Sequence, residues 1–555
     1  MCIFVFVIQR IAPKQALLYN LTINLLGGYL MRKALAMVLA ASCVFGLAAC
    51  GGSGSENASG EAGTQTTTEA SGDADTLRVI QALDPGTFEP GNNDEQSYER
   101  IMLQIYDTLT RFDADGNLQP WLAESWEWDD DTHLRVKLKE GIKFSDGSDF
   151  TAEDVIWTIT RSIENNLPNA HFNMIDPAEC SVVDDTTCII GTKYACATLP
   201  NHFANGQCVI GSKKAYEESN GDYLGGAVVG TGPYKLDEYV QGDIIKLSAN
   251  ENYWQEGKPA FKKLEIRVVA SNDARSTEAK TGSYDLVLAP NSREYDNIDT
   301  TPGMHMELGN TAKTVYLLLN TKKAPMDDVK VREAFARAID VNATVTLAYG
   351  KVGKPAEAFI TPGILGSNAD TYKKYFGTGH DVEAAKALLA EAGYADGLTL
   401  EMTVESTDAQ RCDMAEAIQA QVADAGITLN INKMEIAPMR EYLSAGNHQM
   451  TIYGFTSSTM EADGFLNQLQ PGSDALNRVG YDNQEFFDLY KVGCGTADQT
   501  ERGKIWEDCL EMLMKDYVCI PLNHQQQYVA VNDRLDGVWL PQDYEEMFYE
   551  DIKLK

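Results

Sequence analysis

The chain has 555 residues, more than one hydrophobic core usually holds, so two or more packed units are expected. Hydrophobic residues make up 44% and charged ones 23%, which fits folding in water and leaves too little apolar sequence for a polytopic membrane protein. The 46 Lys and Arg against 81 Asp and Glu give a formal net charge of −35, which repels a phosphate backbone and argues against nucleic acid as a partner.

The first element in chain order is a targeting segment. From Met31 the chain reads M-R-K-A-L-A-M-V-L-A-A-S-C-V-F-G-L-A-A-C, with Arg32 and Lys33 ahead of an apolar run and Leu47-Ala48-Ala49 ahead of Cys50. This resembles a bacterial lipoprotein signal, in which small residues admit the signal peptidase and the cysteine thiol takes a diacylglyceryl group. The run is short for a membrane span. Residues 1–49 are therefore expected to be leader and signal peptide, with Cys50 lipidated. The upstream apolar segment, with Arg10 and Lys14, has no evident use before a complete signal, so translation is expected to start at Met31. Gly27-Gly28 can be encoded by a ribosome-binding sequence at normal spacing from it. Residues 50–75 are rich in Gly, Ser, Thr, Ala and acids and read as a flexible tether.

Beyond the tether, strand-like and helix-like segments alternate. Residues 76–83 (T-L-R-V-I-Q-A-L) and 133–139 (H-L-R-V-K-L-K) predict strands, and 314–320 (T-V-Y-L-L-L-N) a buried one. Thr151 with Glu153 and Asp154 predicts the start of a helix, as do Asp327 and Asp381, the last helix ending at Gly393. The pattern indicates an α/β protein of several layers. Eight cysteines remain beyond Cys50. Cys180 and Cys188 flank a turn at Asp184-Asp185 and are a possible disulfide, as are Cys196 and Cys208; buried free thiols are the equal alternative. No C-x-x-C pair occurs, so no metal site is expected.

The block from Leu122 to Trp157 ends in G-I-K-F-S-D-G and T-A-E-D-V. Gly230-Thr231-Gly232-Pro233-Tyr234, Asn250 to Trp254, Leu319-Asn320-Thr321 with residues 331–340, and Ala392-Gly393-Tyr394 follow in order. Together these resemble the family 5 extracellular solute-binding proteins of ABC importers, which include oligopeptide, dipeptide and nickel binders. The resemblance implies a two-lobed periplasmic-binding-protein-like fold (type II, cluster C) with a domain inserted in the first lobe. Lobe I would comprise 76–107, 225–317 and 521–555, the inserted domain 108–224, and lobe II 318–520. It also implies a monomer that takes up a small peptide or peptide-like ligand by hinge closure and presents it to a permease and ATPase, from the outer face of the cytoplasmic membrane. No cofactor is implied.

Peptide-binding members hold the ligand's amine with an Asp in a W-x-x-D stretch, for which the equivalent here is Phe455-Thr456-Ser457-Ser458, with Ser458 in place of the carboxylate. Asp463 stands nearby as a substitute. Where dipeptide binders carry an Arg for the ligand carboxylate, this chain places Glu405, so a cleft favouring cationic or neutral groups is expected. Phe88 is the candidate from lobe I. Neither H-E-x-x-H nor G-x-S-x-G occurs, and the seven His residues stand far apart, so an extracellular hydrolase has no support. A surface receptor passing peptide signals to a sensor, and a binder of a non-peptide ligand such as a metal chelate or sugar, share the same sequence features.

Overall fold

The computed structural model describes residues 74–555 except 94, 378 and 543–546. The leader, Cys50 and most of the tether lie outside these residues. Near the N-terminus, β1 (Thr76–Gln81) is followed by a small antiparallel pair, β2 (Thr110–Phe112) and β3 (Leu118–Pro120). An antiparallel sheet of order β4-β5-β7-β6 comes next, from β4 (Ala123–Trp128), β5 (His133–Leu138), β6 (Ser181–Asp184) and β7 (Thr187–Gly191). The chain then returns through β8 (Tyr234–Val240), β9 (Ile244–Ala249), β10 (Lys263–Val268), β11 (Leu286–Leu288) and β12 (Met304–Leu319). The last long strands are β13 (Leu398–Glu405), β14 (Ile427–Met434), β15 (Met450–Thr456) and β16 (Cys519–Asn532).

Ten of these strands form one mixed sheet of order β14-β13-β15-β12-β16-β11-β1-β10-β9-β8. Strands β12 and β16 join its two halves and pair antiparallel along most of their length. Their register breaks twice. Between Asn310 and Thr314 of β12 three residues face Gln525 alone, and beside Pro521, which has no N–H to give a ladder, Leu522 is skipped. Each half has its own core. One is built around Val79, Ile101, Leu264 and Ile266, and the other around Leu317, Phe335, Met402 and Ile418.

Local signals explain most element ends. Helix Ala152–Glu164 starts at a capping box in which the Thr151 N–H donates to Asp154 (3.0 Å), and its apolar face packs in the core of the four-stranded sheet. Helix Val382–Glu391 is capped by Asp381, which accepts from the Ala384 N–H (2.9 Å). Helix Val329–Arg337 is capped by Asp328, one residue after the expected Asp327, because only the Asp328 carboxylate reaches the free Lys330 N–H (2.8 Å).

The dispersed motifs converge on one structural knot. Asp107 is buried and accepts from Trp121 Nε1 (2.7 Å), Trp254 Nε1 (3.1 Å) and Thr231 Oγ1 (2.9 Å), while burial pushes its pKa up. Lys139 lies over the Trp254 ring at 4.4 Å. Gly147 turns the chain at φ +87°. Gly232 serves differently: its backbone lies so close to Ile105 that a Cβ would stand 2.6 Å from the Ile105 carbonyl carbon. Gly232→Ala should therefore destabilise the fold by about 1–3 kcal/mol, the usual cost of overpacking a fixed site. Urea unfolding checks this, and an unchanged midpoint contradicts it.

Candidate functional site, a cavity between the two halves

A cavity of about 610 Å³ is lined from three stretches of chain: Leu83 to Gln96, Pro168 to Gln207, and Lys313 to Gln468. Polar contacts tie its rims together. Arg440 meets Glu95 (3.7 Å), the Asn201 amide donates to the Thr459 carbonyl (2.9 Å), and the Ala197 N–H donates to the Cys494 carbonyl (2.7 Å). A second cavity, of about 590 Å³, lies beside β16 and is lined by Arg293, Asp413 and Tyr528; Gln96 belongs to both walls.

The segment 455–458 borders the first cavity because β15 pairs with β12 up to Thr456 opposite Lys313, after which the Ser457 N–H donates to the Ala312 carbonyl (3.0 Å). Thr456 and Ser458 line the cavity. Phe455 is buried behind it, 5.5 Å from the rings of both Tyr453 and Phe465, and Ser457 is buried as well. Phe88 lies away from the cavity lining, in the core of the first half, edge-on to Tyr239 at 5.0 Å.

Glu405 lines the cavity at the end of β13, yet its carboxylate is taken up by Arg411 Nη1 (3.3 Å) and Thr407 Oγ1 (3.0 Å). Arg411 also lines the cavity and bonds Asp408 (3.0 Å). Glu405 is therefore not a bare carboxylate facing the cavity: Arg411, six residues on, is shared between it and Asp408. The helix turn beginning at Asp408 brings that arginine back over the strand end.

Asp463 is fully buried behind the cavity wall. Its carboxylate accepts from Thr459 Oγ1 and faces His202 Nε2 at 3.4 Å. Burial alone would raise its pKa, but the hydrogen bond and charge of His202 hold it below the ordinary carboxylate value. His202 Nδ1 in turn meets His171 Nδ1 at 3.0 Å, and both rings line the cavity. Burial, with the neighbouring His202, lowers His171 to about 3. Sequence reading passed over both histidines because 31 residues separate them, and over Arg411 because the strand-end position was matched instead.

The loop carrying these groups is fixed by a buried ion pair. Arg502 binds Glu461 through Nε (2.8 Å) and Nη2 (2.6 Å), Trp506 Nε1 donates to the same carboxylate (3.0 Å), and Arg502 Nη1 caps the Thr496 and Ala497 carbonyls.

All eight described cysteines are free thiols, which corrects both disulfide expectations. Cys188 sits across from Val182 rather than Cys180, and Cys180 Sγ donates to the Asp176 carbonyl (3.3 Å). Cys196 Sγ faces Thr198 Oγ1 (3.7 Å) and Cys208 Sγ lies 3.9 Å from the Asn169 amide. Burial pushes Cys188 and Cys196 up to about 12, the behaviour of small core hydrophobes.

A family model described as bacterial extracellular solute-binding proteins, family 5, matches residues 117–477. The chain belongs to this family. Heme-binding protein A of Haemophilus influenzae is 29% identical over 522 residues, spanning 88% of this chain and 94% of that protein. Glutathione-binding protein GsiB of Escherichia coli is 27% identical over 469 residues, 82% of this chain and 90% of its own. CtaP, an ABC transporter substrate-binding protein of Listeria monocytogenes, superposes with a TM-score of 0.77 at 21% identity, over 87% of this chain and all of that one. The fold is thus the two-lobed α/β fold of substrate-binding proteins, and the chain is a binding protein rather than an enzyme. No helix among the described residues is long and apolar enough to cross a membrane.

Glu461→Ala should cost about 3–5 kcal/mol by leaving the Arg502 guanidinium buried and unpaired, whereas Glu461→Leu with Arg502→Met should cost less. Urea unfolding of both variants checks the order, and equal losses contradict it. A pH effect follows from the buried, neutral His524, lowered to about 3 from 6.5 by burial and the Lys354 charge. Its Nε2 accepts from the Glu357 N–H (3.2 Å), so the proton sits on Nδ1, beside Thr314 Oγ1 (3.0 Å). Below pH 6.5 the unfolded chain takes a proton that the folded one refuses, so this contribution is full above 6.5 and falls by up to about 1.4 kcal/mol per unit beneath it. The stability gap between wild type and His524→Gln should narrow from pH 7.5 to 5; a constant gap contradicts the assignment.

Proposed function

We propose that the protein captures a peptide or peptide-like solute outside the cytoplasmic membrane and delivers it to the permease and ATPase of an ABC importer, held to the membrane by lipid on Cys50. The observation that carries this reading is the cavity itself, lined from both halves of a sheet that β12 and β16 join. Its volume falls within the range of about 300–1,000 Å³ usual for small-molecule sites. Its large apolar side chains are Leu83, Ile436 and Tyr453, and most of the remaining wall is charged or hydrogen-bonding, which suits a zwitterionic solute better than a flat apolar one. The relative named for glutathione, itself a tripeptide, supports the same class.

The lobe division of this reading is 76–107, 225–317 and 521–555 for lobe I, 108–224 for the inserted domain, and 318–520 for lobe II. The hinge of this reading is at the broken register of β12 and β16, where the ladder between these two strands is already interrupted. Closure forms the Arg440–Glu95, Asn201–Thr459 and His202–Asp463 contacts, and a ligand touching both lobes adds the free energy that shifts the population to the closed state.

Native mass spectrometry of the purified protein should reveal a retained solute. Adding that solute to emptied protein should raise the melting temperature and reduce the radius of gyration in small-angle scattering. Binding without compaction contradicts hinge closure. Cys50→Ser should release the protein from membranes into the soluble fraction, and unchanged membrane association contradicts the lipid anchor.

A further inference from the structure

We infer that Lys313 is the anchor for a free carboxylate of the bound solute, an inference that rests on the peptide-like ligand class proposed above. Lys313 lies in the three-residue bulge of β12 and lines the cavity. Its stem crosses β15 at Gly454, where Cε passes 2.9 Å from the place a Cβ would occupy, so the glycine makes the room that lets this side chain lie there. Among the described residues no carboxylate lies within ion-pair distance of its ammonium and no side chain or carbonyl accepts from it.

The acids on the same wall are already used. Glu95 is paired with Arg440 (3.7 Å) and Glu405 with Arg411 (3.3 Å). Behind the wall Arg478 is buried with its Cζ 4.3 Å from the Tyr453 ring centre, and its Nε has no acceptor among the described residues. The Tyr453 ring is thus close to two guanidinium groups, the second that of Arg411, which stands 5.5 Å from the ring centre. A partly buried ammonium in a closing cleft gains most from an anionic acceptor, because closure removes the water that otherwise solvates it. The subsite therefore takes a carboxylate, the opposite sign to the expectation drawn from Glu405.

The test uses two probes: an equimolar mixture of Gly-X-Gly tripeptides with neutral X and free C-termini, and the same mixture amidated at the C-terminus. Both compete for emptied wild-type protein, Lys313→Met and Lys313→Arg, read by native mass spectrometry. Wild type should retain the free acids over the amides by about tenfold or more, the scale of a charge-assisted hydrogen bond. Lys313→Met should erase the preference at an unchanged melting temperature of the empty protein, and Lys313→Arg should restore most of it. Equal retention of acids and amides by wild type, or a preference that survives in Lys313→Met, overturns the inference and leaves the binding-protein reading intact. Retention of neither mixture overturns the peptide-like ligand class, and the inference with it.

Discussion

The pairing of β12 with β16 is the constraint on which the rest of the structure depends. These two strands carry the sheet from one half to the other, so their shared ladder must hold both cores together. The break at residues 311–313 is stable because its backbone is satisfied elsewhere. The Ala312 N–H bonds the Gln542 carbonyl, its own carbonyl accepts from Ser457, Thr311 Oγ1 reaches the Gln525 carbonyl, and the Lys313 N–H bonds Thr311 Oγ1. The bulge gathers the cavity wall as well. It positions Lys313, draws the start of the 457–463 loop alongside, and leaves His524 bonded to Thr314 at its edge.

Two buried ionic groups in that loop have different tasks although they stand two residues apart. Glu461 with Arg502 and Trp506 lies within one half, and its bidentate geometry fixes the loop whether or not the cavity is closed. Asp463 with His202 joins groups from the two sides of the cavity, and its buried carboxylate is held below the ordinary value by that partner together with the hydroxyl of Thr459. On the proposed closure, a pair within one lobe sets shape, whereas a pair between lobes changes its solvation each time they part. Removing the first disturbs the wall itself, and removing the second disturbs the balance between open and closed forms.

What the sequence made legible was local or contained in a motif read as a block. The capping box at Thr151 and Asp154 depends on residues three apart and is present. The identity of the fold was carried by glycines and tryptophans whose order could be read, although their convergence on Asp107 could not, since Trp254 and Thr231 lie more than one hundred residues from it. Gly232 illustrates the limit: its place in the motif could be read, while the need for it is room beside Ile105, a neighbour distant in sequence. In the site, the strand end at Glu405 was found and its partner Arg411 was not, because that arginine lies on the following helix. Lys313 gave no signal at all, since an isolated lysine in an apolar strand carries no pattern and only the bulge opposite Gln525 explains its place.

The net charge of −35 and a carboxylate-binding cleft are compatible for a reason of scale. At physiological ionic strength the screening length is about 8 Å, so the acidic exterior slows the approach of an anion without setting the field inside an enclosed cavity. There the relevant charges are the few within contact distance, where displaced water no longer screens them. Because the acids on the wall are matched by Arg411 and Arg440, an incoming carboxylate meets Lys313 without competition, and an incoming ammonium meets acids already occupied. Selection by charge then resides in how firmly the solute is held rather than in how fast it arrives, which suits a protein that must keep its cargo until the permease opens it.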